Sequence, residues 1–314
     1  MTKRTRSFEE ICTAAERGNA ESQYELGECY RNGNGVPENR DEAAKWYHKA
    51  AEQGHAKSMD QLAQCYWAGD GVPQNRDETE KWCAKAATAW RRDAVQGDAE
   101  AQYEIHSRYY SGRGIPEDRV KGLKWLRKAA KQGHARAQYF LGFHYVHSDN
   151  SPRNYAAAAR WYRKAARQGN TSAQCALANH YFEGLGVPEN WTAAIMWLRK
   201  AAEQGDEEGL RQLSRCYFHG WGVPQDVAKA EQMTDKGIRY FYWRDNVFCE
   251  FAQCYIQGED VPQDITEAEK WLRKAAENAD KNCSERYFTE ADLLTVIELV
   301  KKKMESTMTS EPLA

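Results

Sequence analysis

Nine cysteines and eight histidines are the side chains of this 314-residue chain best able to do chemistry, and their spacing decides which chemistry that would be. Cys29, Cys65, Cys216 and Cys254 each stand one residue before a tyrosine, and Arg108, His144 and His180 hold the same place before Tyr109, Tyr145 and Tyr181. A position that recurs at a fixed distance from an aromatic is set by architecture. Equivalent positions in neighbouring helical units lie about 10 Å apart, beyond the roughly 7 Å between Cα atoms that a disulfide tolerates, so these cysteines are expected to be unbridged packing residues. His144, His147 and Asp149, with His180 one unit further on, are the only grouping with metal-ligand types; residues three apart share a helix face. No HExxH-type signature accompanies them, and position in the repeat already accounts for His144 and His180, so no metal is expected. Each Gly-x-Gly recurs as a helix terminator and makes no phosphate loop. No local spacing builds a Ser-His-Asp or Cys-His pairing. The chain is therefore expected to have no catalytic residues and no cofactor, and not to be an enzyme.

The elements that position these residues are copies of one module, best seen in Tyr181–Asp206, YFEGLGVPENWTAAIMWLRKAAEQGD. Its opening tyrosine recurs as Tyr30, Tyr66, Tyr109, Tyr145, Tyr181, Tyr217 and Tyr255, separated by 36, 43, 36, 36, 36 and 38 residues. Sixteen residues after each stands Trp46, Trp82, Trp125, Trp161, Trp197, Met233 or Trp271. This period belongs to helix-turn-helix solenoids, with two helices per unit. The units read as 19–54, 55–97, 98–133, 134–169, 170–205, 206–243 and 244–279. A capping helix over 1–18, a closing cap over 280–304 and a disordered tail over 305–314 complete the chain.

Within a unit, the first helix carries a core stripe such as Leu26, Gly27 and Tyr30, with glycine admitting a close neighbour. A Gly-x-Gly-Val-Pro connector stops it. Asn39, Asn75, Asp118, Asn154, Asn190, Asp226 and Asp264 are expected N-caps of the second helix, and Glu42, Glu78 and Glu267 could close capping boxes. The second helix is expected to bury its tryptophan together with residues such as Ala43, Tyr47 and Ala50, which makes that ring the largest burial in the unit. Seven extra residues in the second unit lengthen a helix by nearly two turns. The sixth unit, which has Met233 for tryptophan and Lys236-Gly237 for the alanine pair, is expected to be the weakest. Its segment 233–251, with Tyr240, Phe241, Tyr242 and Trp243 in succession, reads as a hinge and a second contact surface.

Net charge is −2, yet residues 98–205 carry 16 basic and 9 acidic side chains while residues 206–314 carry 14 and 21. The clearest basic run, Lys121, Lys124, Arg127, Lys128 and Lys131, lies on one helix whose other face is core, so it reads as a solvated face and nucleic acid is disfavoured as a partner. No apolar run approaches membrane-spanning length and no secretory leader is evident, which with the modest cysteine content suits a cytoplasmic, monomeric protein.

Leu26-Gly27 with Tyr30, Gly33-Asn34-Gly35-Val36, Lys45-Trp46 and Lys49-Ala50-Ala51 resemble the Sel-one-like repeat, a relative of the tetratricopeptide repeat, over about nine-tenths of the chain. The resemblance implies an all-α, right-handed α/α superhelical solenoid of about seven helix-pair repeats, with capping helices at both ends. It implies an adaptor whose first helices line a concave groove for another protein or peptide segment, and by analogy a bacterial immunity or signalling role. The alternative is a ligand-binding or hydrolytic enzyme of the family's cysteine-rich branch, although here only the second repeat has a cysteine in each helix, Cys65 and Cys83. By the same analogy the groove residues follow each register tyrosine: Arg31, Trp67, Tyr110, Val146, Phe182, Phe218 and Ile256. A second row holds Tyr24, Asp60, Tyr103, Tyr139, Cys175, Arg211 and Cys249, with Phe143, Asn179 and Arg215 between the rows. The expected partner contacts are therefore Trp67, Tyr110, Phe182, Phe218, Tyr24, Tyr103, Tyr139, Phe143, Asn179 and Arg215, joined by Tyr242 and Trp243.

Overall fold

The computed structural model describes residues 6–147, 153–237 and 247–282, with side chains as far as residue 275. The described residues form fifteen α-helices: α1 Phe8–Glu16, α2 Ala20–Asn32, α3 Arg40–Glu52, α4 Ala56–Ala68, α5 Arg76–Val95, α6 Ala99–Ser111, α7 Arg119–Lys131, α8 Ala135–His147, α9 Tyr155–Arg167, α10 Thr171–Phe182, α11 Trp191–Glu203, α12 Glu207–His219, α13 Val227–Gly237, α14 Val247–Gln257 and α15 Ile265–Asn282. They pack in sequential pairs as an α/α repeat array. The chain divides into two compact units, Met1–Leu141 and Gly142–Ala314. The closing cap beyond residue 282 and the tail lie outside the described residues.

One turn of chemistry is repeated at every connector. The amide of each second-helix N-cap, from Asn39 through Asp264, donates to the carbonyl of its register tyrosine, from Tyr30 through Tyr255, at 2.8–3.0 Å in all seven repeats. The same N-cap side chains accept from the amide three residues on, as expected, at 2.8–3.1 Å. The capping boxes expected there do not form. Glu42 and Glu78 turn instead to Lys45 and Lys81 at 2.7 Å, and Glu267 to Lys270, because a lysine one turn on offers a charged partner. The reciprocal box is made at α1 by Ser7 and Glu10.

In unit 1–141, α2 packs on α3, α4 on α5 and α6 on α7, and each pair meets the next. A Cβ on Gly27 would lie 2.5 Å from the Tyr47 ring, so the absence of a side chain there is what seats Tyr47 at the bottom of the first repeat. Tyr47 is fully buried and its hydroxyl donates to Glu28 at 2.6 Å. Trp46, expected in this core, is only half-buried, as are Trp125 and Trp161, whereas Trp82, Trp197 and Trp271 are buried. In the first, third, fourth and fifth repeats the residue after the tryptophan lies deeper than the indole, in the second and seventh the indole lies deeper, and in all six a lysine stands over the ring. Ammonium-to-ring distances run from 3.7 Å for Lys49 on Trp46, through 4.1 Å for Lys85 on Trp82 and 4.2 Å for Lys128 on Trp125, to 5.7 Å for Lys274 on Trp271.

Repeats are stapled by buried glutamines. The side-chain amides of Gln23, Gln102 and Gln138 donate back to the carbonyls of Ala15, Ala94 and Ala130 at 3.1–3.2 Å. The longer second repeat is one 20-residue helix, α5. Its extra turns bury Trp90, whose indole N–H donates to Asp60 at 2.7 Å.

In unit 142–314, Gly142 makes the same room for Tyr162, with an added Cβ 2.7 Å from the ring. The Gln174 amide staples to the Ala166 carbonyl at 3.1 Å. In the sixth repeat the corresponding pair is Ser214 and Thr234, both buried and hydrogen bonded to each other and to the Ala230 carbonyl. Helix α12 also meets α14, which supplies packing that Met233 does not.

The second connector glycine is a contact residue as well as a turn residue. Gly114 has φ +73° and an added Cβ would lie 2.2 Å from the Cys83 carbonyl oxygen. Gly97 also has positive φ but faces open space. Gly114→Ala is therefore expected to cost well over the roughly 1–2 kcal/mol of a left-handed L-residue, and Gly97→Ala only about that much, as read by urea denaturation.

Candidate partner-binding surface

In unit 1–141 several large apolar side chains of the first helices stand in solvent. Trp67 at the end of α4 is 67% exposed, Tyr110 at the end of α6 is 57% exposed and Phe140 on α8 is 39% exposed. The Tyr110 ring is braced by the Arg119 guanidinium at 5.1 Å and by His106 at 6.2 Å. Tyr103 is half-buried, stacked on His134 at 4.9 Å and leaning on Phe140 at 5.9 Å. Tyr139 stands edge-on to Phe140 at 5.2 Å, and Tyr24 fits between Tyr47 and His55. The two histidines are themselves fixed: His55 meets Glu21 at 3.1 Å and His134 meets Glu100 at 2.9 Å.

Charged groups lie between the aromatics. Asp60 pairs with the buried Arg108 guanidinium and takes the Trp90 N–H, with Arg113 at 3.8 Å. Glu104 follows Tyr103 on α6 and is likewise half-buried. Burial, then the Asp60 and Glu100 carboxylates, push its carboxyl above the usual range against the pull of Arg108 and Arg136. A half-buried carboxyl among rings favours a cationic group brought to it.

In unit 142–314 the expected surface breaks up. Phe218 is wholly buried, which corrects its expected role as a partner contact. It stacks on Phe251 at 3.8 Å and meets the Trp271 edge at 6.4 Å, because α14 lies over the end of α12. Arg215 is likewise engaged inside the unit, bonded to Glu250 at 2.6 Å. Cys175 of the second row is buried against Asp206. Phe182 is half-buried with its face to the Trp191 edge at 5.0 Å. Phe143 and Asn179 are exposed, Phe143 stacking on His147 at 4.0 Å. Tyr242 and Trp243 lie outside the described residues, as do residues 238–246 of the expected hinge. The sequence analysis did not single out the exposed apolar side chains of Phe140, Trp221, Met196, Val95 and Val120. Phe140 carried a readable signal, since Glu25, Gln61, Glu104, Gln212 and Glu250 hold its place in other repeats.

The eight described cysteines are free thiols. Burial pushes Cys65 and Cys254 up to about 11 and Cys216 to about 12. Such thiols carry little thiolate, the form that attacks or ligates. Among the described residues no group of histidines, cysteines and carboxylates is placed to hold a metal ion, and Asp149 lies outside them. His180 is a buried N–H donor to the Leu185 carbonyl at 2.7 Å.

The Sel1 repeat model matches residues 20–55, 56–89, 99–134, 135–170, 171–206, 208–239 and 251–280. The chain belongs to the Sel1 repeat family. The second match ends at residue 89, inside the lengthened α5, and the sixth and seventh leave residues 240–250 between them. Among solved structures, the chain is similar to c5321, a protective antigen of uropathogenic Escherichia coli with an SLR fold. Identity is 32% and the TM-score 0.62, over 88% of this chain and 58% of that one. This Sel1 chain thus spans little more than half the length of that relative. A Sel1 repeat protein from Oxalobacter formigenes is 27% identical with a TM-score of 0.60, over 74% of this chain and 91% of that one. No curated protein matches the chain. Among the described residues no helix is long and apolar enough to cross a membrane.

Burial separates the two candidate aromatics by stability. Phe218→Ala is expected to destabilise by about 3–5 kcal/mol and Trp67→Ala by about 0.5 kcal/mol or less, measured by chemical denaturation of the full chain.

Proposed function

We propose that this Sel1 repeat protein is a protein-binding adaptor, and that the first-helix face of residues 1–141 receives an extended segment of another protein. The observation that carries this reading is the exposure of Trp67, Tyr110 and Phe140 on successive first helices. Large rigid rings lose little entropy on binding and supply the anchors of interface hot spots, and here Arg119 and His106 already hold Tyr110 in place. Tyr103, Tyr139 and Tyr24 support the rim of the same face. The raised carboxyl of Glu104 among these rings suits a segment that carries a lysine or arginine beside apolar side chains. The family membership supports a binding role, since repeat arrays present extended surfaces of this kind. The bacterial sources of both solved relatives support a bacterial setting. Burial and raised pKa of the thiols support a non-enzymatic reading.

Partners copurified from the native cell and identified by mass spectrometry provide the ligand for calorimetry. Trp67→Ala and Tyr110→Ala should each weaken binding by about 2 kcal/mol, roughly thirtyfold, with melting nearly unchanged. Unaltered affinity in both variants would remove the proposed face.

A further inference from the structure

His219, the last residue of α12, has a side chain only 6% exposed. Both of its ring nitrogens meet a carboxylate: Nδ1 lies 2.6 Å from Asp260 and Nε2 3.2 Å from Glu250. Only the imidazolium has a proton on each nitrogen. A neutral ring donates to one carboxylate and turns a lone pair toward the other. The Trp221 ring covers the imidazole at 4.3 Å and nearly parallel, and the edges of Phe218 and Phe251 close the other sides.

The charged and titratable groups around this ring come from three places. Helix α12 contributes Arg215, bonded to Glu250. Helix α14 contributes Glu250 and Cys254, whose thiol is kept un-ionised by burial and then by Glu250 and Asp260. The connector after α14 contributes Asp260, and the preceding connector contributes the neutral Gln225, which donates to the Asp260 and Phe218 carbonyls. Asp260 is the one non-glycine among the described residues with positive φ, at 62°, and it stands where five other repeats have the second connector glycine. An L-residue is disfavoured there, so the contact with His219 offsets a backbone cost.

We propose that the junction of repeats six and seven is a proton-operated latch, in which doubly protonated His219 ties α14 and its connector to α12 and loss of one ring proton frees Asp260. Asp260 is the group released because Glu250 keeps Arg215 when the imidazolium charge is gone. Burial works against the His219 cation, but the two carboxylates outweigh it and hold its pKa above the ordinary value of 6.5. A raised folded pKa means that the latch stabilises fully below the unfolded value and is lost as pH rises through the folded one. His180 has the opposite sign: burial lowers its pKa, so its protonation destabilises as pH falls below the ordinary value. The two effects occupy different pH windows.

The test is amide hydrogen exchange of the full chain at about pH 6 and about pH 8.5, corrected for intrinsic rates, alongside an NMR titration of the His219 ring. Protection across α14 and residues 258–264 should fall with rising pH by up to about tenfold per pH unit inside the window, while α11 does not follow it. His219→Gln should abolish that dependence. Equal corrected protection at both pH values, or a His219 ring that titrates at or below its ordinary value, would overturn the latch. The titration uses the unaltered protein, so it decides the matter even if the variant fails to fold.

Discussion

One backbone hydrogen bond fixes the geometry of every repeat. When the N-cap amide of the second helix donates to the carbonyl of the register tyrosine, nine residues ahead of it, the connector has one length and the two helices one relative register. The bond uses an orphan carbonyl at the end of one helix and an amide just before the next, groups that would otherwise be left unsatisfied. It survives in the fourth repeat, where Asn154 meets Tyr145 although the connector glycines are absent, and in the seventh, where Asp260 replaces a glycine. Side chains at the helix crossing are chosen after that register is set. Glycine opposite tyrosine in the first and fourth repeats, and serine opposite threonine in the sixth, are different solutions for one fixed gap.

Much of this was legible because it repeats. Tyrosine spacing fixed the number of units, the N-caps were readable from type and position, and the 20-residue α5 followed from a seven-residue surplus. The errors arose where a side chain has two competing partners. Glu42 and Glu78 fit a capping box by spacing, yet a lysine three residues on wins by charge. Trp46 was expected inside because it is the largest apolar residue of its unit, but the seat behind it is taken by Tyr47, and the Lys49 ammonium stands over the indole that is left at the surface. The glutamine staples went unread since a buried amide looks in sequence like any polar residue of a helix.

The surface was less legible than the fold, for a physical reason. Trp67, Tyr110, Phe182 and Phe218 occupy one position in four repeats, and a helix alone would expose them equally. Their actual burial depends on what lies over the end of each helix. Trp67 and Tyr110 have the least cover, Phe182 has Trp191 beside it, and Phe218 has Phe251 stacked upon it. Single-residue periodicity identifies a row and says nothing about its lid. That information resides in residues elsewhere in the array, Trp191 in the paired helix of the same repeat and Phe251 in the next repeat, which are themselves departures from the module.

The sixth repeat joins these threads. With Met233 in place of tryptophan it loses the indole, although Lys236 keeps the place of the lysine that stacks there in other repeats, and a unit of a repeat array can be maintained by its interface terms as well as by its own core. Phe218, Phe251 and Trp271 form that interface in residues 142–314, with rings from α12, α14 and α15 in mutual contact. Moving Phe218 from surface to core has a consequence for its neighbour. Consecutive helical residues point about 100° apart, so a phenylalanine directed under α14 leaves His219 at the seam, beside Glu250 and the connector that carries Asp260. The aromatic contact therefore sets where the ionic one can form. A substitution that compensates for a missing indole also brings a titratable ring between two carboxylates.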